Sequence, residues 1–161
     1  MALELVGERW SLLIVRELMF GPHRFGEIKA GLAGISANIL TQRLEGLEAS
    51  GILTRRKLPP PASVQVYELT SLGYAAETVI KELGRWAAQS PLHDPTLPLS
   101  AASIMLSFRT MLDAERAKGI GAVIGFRFGA EAFRAHLTGG EIRIARGEPD
   151  ADRNQRHYLD A

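Results

Sequence analysis

Gly34-Ile35-Ser36-Ala37-Asn38-Ile39-Leu40-Thr41-Gln42-Arg43-Leu44 is the stretch on which the fold turns. Ser36 stands where a hydroxyl can accept a hydrogen bond from one of the free N–H groups at a helix start. Beyond it, Ile39, Leu40, Leu44 and Leu47 recur at the spacing that gathers side chains on one side of an α-helix. Gly51 supplies a residue that tolerates the left-handed backbone at a helix end. The other side of this helix carries Ala37, Asn38, Thr41, Gln42 and Glu45, with Arg43 at its flank. Short polar side chains reach base edges, and a cation holds a phosphate. That composition suits a surface that reads DNA. An ordinary solvated helix face has a similar composition, so the face alone leaves both readings open.

The flanking sequence narrows the choice. Upstream, Leu5, Val6, Trp10, Leu13, Ile14 and Leu18 predict one amphipathic helix over about residues 3–19, stopped at Gly21-Pro22, with Trp10 in the core. A second helix is expected near Arg24 to Ala30, with Phe25 and Ile28 inward. Gly31 and Gly34 bracket the turn into the Ser36 helix, and two helices joined by a short glycine-containing turn make a helix-turn-helix. Downstream, two β-rich runs, Ile52 to Leu58 and Val64 to Leu69, surround Pro59-Pro60-Pro61-Ala62 and predict a hairpin with a stiff tip. Arg55, Arg56 and Lys57 lie together on its first strand with Gln65 opposite, the densest basic cluster in the chain. A charge run is usually only solvated. Here it falls beside a polar-faced helix and a proline-stiffened loop, and that conjunction points to a duplex. Arg24 is placed to hold a further phosphate, and each such cation adds a salt-sensitive, sequence-independent affinity. Thr70 or Ser71 caps a fourth helix reaching about Ala88, with Leu72, Ala76, Val79, Ile80, Leu83 and Trp86 as its apolar positions.

Pro91, Pro95 and Pro98 mark a linker, 91–98, between a first domain, 1–90, and a second, 99–161. In the second, Ser100 caps a helix carrying Ile104, Met105, Phe108, Met111 and Leu112. After Gly121 the period changes to two, with Ile124, Phe126 and Phe128 on one side and Val123 and Arg127 on the other. Phe133, Ala135 and Leu137 continue the pattern, Thr138-Gly139-Gly140 turns the chain, and Ile142 and Ile144 lie on a third strand. From Gly147 onward the chain is polar and expected to be loose. The expected class is α+β: a winged helix-turn-helix of three helices, a β-hairpin wing and a fourth helix, then a small helix plus three-stranded antiparallel sheet unit. Met105, Phe108, Phe126, Phe128 and Phe133 form either a plain core, which such stripes usually are, or the lining for an apolar small molecule. So small a unit closes poorly by itself.

Other chemistry is poorly supported. The 161 residues carry a net charge of +1, so any affinity for nucleic acid rests on where the charges lie. There is no cysteine, hence no disulfide, thiol nucleophile or thiolate metal site. His23, His93, His136 and His157 are scattered and form no metal-ligand pattern. Gly119-Ile120-Gly121-Ala122-Val123-Ile124-Gly125 leads into a strand, whereas a dinucleotide fingerprint opens a helix. No serine sits in a nucleophile elbow. No catalytic residue, metal or cofactor is expected. Glu8, Arg9, Arg16 and Glu17 interrupt the apolar stretches, and no leader pattern opens the chain, so the expectation is a cytoplasmic protein without a membrane partner.

Val6-Gly7-Glu8-Arg9-Trp10, Gly21-Pro22-His23-Arg24-Phe25, the 34–44 stretch, Leu47-Glu48-Ala49-Ser50-Gly51-Ile52-Leu53 and Tyr67-Glu68-Leu69-Thr70 together resemble the HxlR-type winged-helix transcriptional regulators over about residues 3–88. The resemblance implies a homodimer on pseudo-palindromic operator DNA, most often a repressor. It maps Ser36, Asn38, Thr41, Gln42 and Arg43 to the recognition helix and Arg55, Arg56 and Lys57 to the wing. It places the last helix, with Trp86, in the dimer interface. Many members carry a cysteine before the first helix that some use to sense oxidants or electrophiles; this chain has none. More weakly, Gly125-Phe126-Arg127-Phe128, Glu131-Ala132-Phe133-Arg134-Ala135 and Gly140-Glu141-Ile142 resemble about the first half of the sterol carrier protein-like fold, which implies an apolar effector site. A winged helix used for protein–protein contact, and a lipid or small-molecule carrier, remain as alternatives, because fold does not fix function.

Overall fold

In the structure, a computed structural model that describes residues 2–92, 96, 99–147 and 158–160, the Ser36 Oγ accepts the Ile39 N–H at 3.3 Å and opens a helix that runs from Ala37 to Ala49. Gly51, at φ 70°, turns the chain out of it. The first unit, Met1–Ser103, contains α1 (Ala2–Val6), α2 (Ser11–Leu18), α3 (Phe25–Gly31), α4 (Ala37–Ala49), β1 (Leu53–Lys57), β2 (Gln65–Leu69), α5 (Ser71–Ala75) and α6 (Glu77–Ala87). Ile14, Val15 and Leu18 of α2, Ile28 of α3, Leu40, Leu44 and Leu47 of α4, and Leu53, Val66 and Leu69 of the hairpin are buried as its core. Glu17 is buried too, and its charge is compensated: Arg16 pairs with it at 2.8 Å and the Ser100 hydroxyl donates to it at 2.7 Å.

The single first helix expected over 3–19 is two helices. The Gly7 N–H bonds to Leu3 O at 2.7 Å, so closely that a Cβ at Gly7 would lie 2.2 Å from that oxygen. Three residues on, Trp10 adopts a left-handed backbone, φ 81°, at the entrance to α2. The break lifts Trp10 partly out of the core: it is half-buried, with the Arg9 guanidinium 5.2 Å from its ring centroid.

β1 and β2 form an antiparallel hairpin in the register Arg55↔Tyr67, Arg56↔Val66 and Lys57↔Gln65. Thr70 then fastens two ends at once: its hydroxyl donates to Gly51 O at 2.6 Å and accepts the Gly73 N–H at 3.2 Å, capping α5. The fourth helix expected over 70–88 is divided into α5 and α6, which meet at Ala76. Gly73 is buried where β2 turns into α5, and a Cβ there would lie 2.2 Å from Ile52 O and 3.0 Å from Leu69 Cδ2. Because the clash is with backbone, Gly73→Ala is expected to destabilise the fold by about 1–3 kcal/mol despite its better helix propensity. Urea unfolding reads this as a lower midpoint at constant slope.

The second unit, Ile104–Ala161, takes most of α7 (Ala101–Met111), then α8 (Ala114–Ala117), β3 (Ala122–Phe128), β4 (Glu131–Thr138), β5 (Glu141–Arg146) and β6 (Tyr158–Asp160). Ser100 caps α7 as expected, accepting the Ser103 N–H at 3.1 Å. The three expected strands pair antiparallel. The sheet has a fourth, since β6 runs parallel along the other edge of β3, giving the order β5-β4-β3-β6. This corrects the expectation of a loose chain beyond Gly147 at residues 158–160; residues 148–157 and 161 lie outside the described residues, as do 93–95, 97 and 98 of the expected linker. Asp113 caps the unanticipated α8 by accepting the Arg116 N–H at 3.1 Å. The buried side of α7 is Met105, Leu106 and Thr110, whereas Met111, one of the apolar residues expected on this helix, is 67% exposed.

Candidate nucleic-acid interface

Burial of Leu40, Leu44 and Leu47 fixes the rotation of α4 about its axis. Ala37, Asn38, Thr41, Gln42 and Glu45 are consequently all exposed. Thr41 donates its hydroxyl to Ala37 O at 3.0 Å. The amides of Asn38 and Gln42 have no partner among the described residues and are available to an outside partner. Ser36 is exposed at the helix start, and so is Arg24, whose backbone N–H donates to the Glu27 carboxylate at 2.7 Å as α3 begins.

Arg43 stands differently. It is half-buried, its Nη2 lies 2.8 Å from Glu8 Oε2, and its Nε is buried without a partner among the described residues. It braces α4 against the segment between α1 and α2.

The hairpin separates the three cations that the sequence groups together. Alternation along β1 puts Arg55 and Lys57 on one face, with Tyr67 and Gln65, and Arg56 on the other. Each arginine meets a carboxylate: Arg55 Nε lies 2.7 Å from Glu48 Oε2 at the end of α4, and Arg56 Nε donates to Glu68 on β2. Hydrogen bonding from Arg55 holds the Glu48 carboxyl below the ordinary carboxylate range, and the same bond raises the Arg55 guanidinium. Glu68 raises Arg56 likewise. Lys57 is exposed and has no ion pair among the described residues. Gln65 Nε2 is 3.5 Å from the Tyr67 hydroxyl. The helix-turn-helix is tied to the hairpin by a second link: the backbones of His23, in the α2–α3 turn, and Tyr67, in β2, exchange hydrogen bonds of 3.0 and 2.8 Å. Glu8, Glu48 and Glu68, which hold these arginines, were not signalled by the sequence, since each pair joins residues of different elements.

In the second unit, Met105, Phe126 and Phe133 are buried. Phe126 and Phe133 are cross-strand partners, Phe108 packs 5.0 Å from Phe126, and Phe128 meets Phe133 edge-on at 6.2 Å. The four rings thus form one run of contacts, with Phe108 40% exposed at its outer end. Among the described residues no group of three or more metal-ligating side chains could hold a metal, and no helix is long and apolar enough to cross a membrane.

The profile of the HxlR-like helix-turn-helix family matches residues 5–94. The chain belongs to that family. Similar HxlR-like relatives include the HTH-type transcriptional regulator YodB of Bacillus subtilis, 41% identical over 88 residues, or 55% of this chain and 79% of YodB. The uncharacterized HTH-type transcriptional regulator YtfH of Escherichia coli is 35% identical over 81 residues, 50% of this chain and 64% of YtfH. Among solved structures, the reduced form of YodB superposes with a TM-score of 0.52 at 39% identity, covering 58% of this chain and 92% of YodB. The redox regulator HypR in its oxidised form gives 0.50 at 26% identity, covering 58% and 94%. YodB is a transcriptional regulator and the family is that of an HxlR-like helix-turn-helix, so the first unit is that of a DNA-binding regulator. The second unit lies beyond the family match.

Proposed function

We propose that this HxlR-like protein is a homodimeric regulator, acting as a repressor, that binds double-stranded operator DNA. The helix α4 enters the major groove, presenting Ser36, Ala37, Asn38, Thr41 and Gln42 to base edges and to the backbone beside them. The hairpin serves as the wing, with Arg55, Arg56, Lys57 and Gln65 on the adjacent backbone or minor groove, and Arg24 holds a phosphate at the start of α3. Arg43 contributes by bracing α4. In a dimer the two recognition helices lie about 34 Å apart, one turn of the duplex. The observation that carries this reading is the exposed polar side of α4 set beside the basic strand β1 through the Glu48–Arg55 contact.

A small apolar molecule, bound in a sterol carrier protein-like manner where the aromatic run of the second unit reaches the surface at Phe108, modulates the dimer. No thiol is available for sensing within these 161 residues. The test is a gel shift of the protein on the DNA flanking its own gene, at two salt concentrations, with and without a long-chain fatty acid. A shift that weakens with salt by about 0.9 logarithmic unit per phosphate engaged supports the regulator. Absence of any shift at low salt overturns it and leaves the protein-contact and carrier readings. An affinity indifferent to the fatty acid removes the apolar effector.

A further inference from the structure

Two arginines of the hairpin are held in the same unusual way. Arg55 is gripped at both ends by one side chain: its Nε lies 2.7 Å from Glu48 Oε2, and its backbone N–H donates to Glu48 Oε1 at 3.2 Å. Arg56 gives its Nε–H to Glu68. A guanidinium carries five N–H donors, one on Nε and four on the Nη pair. In both residues the carboxylate lies nearest Nε, and among the described residues the Nη pair makes no hydrogen bond. That Nη edge is the fork that binds a phosphate with two parallel hydrogen bonds.

We infer that Glu48 is a positioning residue for DNA binding, fixing Arg55 at the junction of α4 and β1 so that its Nη edge is presented to a backbone phosphate. Glu68 does the same for Arg56 on the opposite face of the hairpin. The inference rests on the DNA-binding reading above. An acidic residue beside a DNA surface would ordinarily be counted as repulsive. Across water that repulsion is weak and screened by salt. An unrestrained arginine, by contrast, loses most of its rotamer freedom when it binds. Ordering therefore outweighs repulsion. It also makes the charge insufficient by itself, because lysine has no Nε–H for Glu48 to hold.

The experiment is a double-mutant cycle on the full chain with Glu48→Ala and Arg55→Lys, read as fluorescence anisotropy of a labelled duplex from the DNA flanking its own gene. Each single change is expected to weaken binding about threefold to tenfold, with the double variant no weaker than either single one. Glu48→Gln, which keeps one acceptor oxygen, falls between Glu48→Ala and wild type. Thermal melts verify folding, and the Arg55 Nε–H resonance, distinct in wild type, is expected to collapse into the bulk arginine signal in Glu48→Ala. Tighter or unchanged binding in Glu48→Ala overturns the inference, as does a double variant whose loss is the product of the single losses. Failure of the wild type to bind duplex sinks the DNA-binding reading itself, whereas a flat cycle on a binding protein sinks only the role of Glu48. If Glu48→Ala melts early, Glu68→Ala with Arg56→Lys gives the same cycle at the second pair.

Discussion

Replacing Arg55, Arg56 and Lys57 together by alanine is expected to weaken duplex binding on the order of a hundredfold and to lower the salt slope by about 0.9 for each phosphate no longer neutralised. All three side chains are exposed on β1, and the ion pairs that two of them make are solvent-facing. Exposed pairs of this kind contribute at most about 1 kcal/mol each, so the variant should still fold. Direct contacts from α4 to bases should persist in weakened form, leaving some discrimination between target and random duplex. Anisotropy titrations at several salt concentrations measure both quantities. An unchanged slope would remove the hairpin from the interface and turn attention to a protein partner.

The second large effect concerns α6. A helix with an apolar stripe must bury it against something, yet among the described residues none of α6 is buried. Val79, Leu83 and Trp86 recur on one side of it, and Trp86 is 71% exposed; Leu72 of α5 is exposed as well. A homodimer built on this stripe meets itself about a two-fold axis, so a substitution enters the interface twice. Leu83→Glu with Trp86→Glu then brings several unpaired carboxylates into a dehydrated contact. Each costs several kcal/mol, and the dimer dissociation constant should rise by about three orders of magnitude or more. Sedimentation equilibrium reads this as a monomer at concentrations where wild type is dimeric, and DNA affinity falls with it. A wild type that sediments as a monomer, or a variant that stays dimeric, would exclude this surface.

The parts of the fold that could be read from the sequence are those where several local signals agree. In α4 the Ser36 cap, the leucine stripe and Gly51 all specify the same helix, and the side that faces outward follows from them. The hairpin and its Lys57↔Gln65 register follow similarly from the alternating runs about the prolines. The break between α1 and α2 could not be read, because the apolar spacing of Leu5, Val6, Leu13 and Ile14 continues through it and tryptophan does not signal a left-handed backbone. A four-residue helix such as α8 has no period to detect. The three-residue β6 owes its existence to a distant edge of β3. At the candidate site, sequence indicated which side chains face outward but not which cations were already engaged. The Glu8, Glu48 and Glu68 contacts arise only when separate elements are brought together.

The exchange of backbone hydrogen bonds between His23 and Tyr67 divides the hairpin into a base and an overhang. Below that stitch the strands share the framework of the helices and, in the proposed complex, hold the angle at which α4 meets a groove. Above it, Pro59 to Ser63 project into solvent. Lengthening or shortening that projection would change how far along the duplex a regulator of this kind feels for its neighbouring groove, and leave the seating of its reading helix as it was.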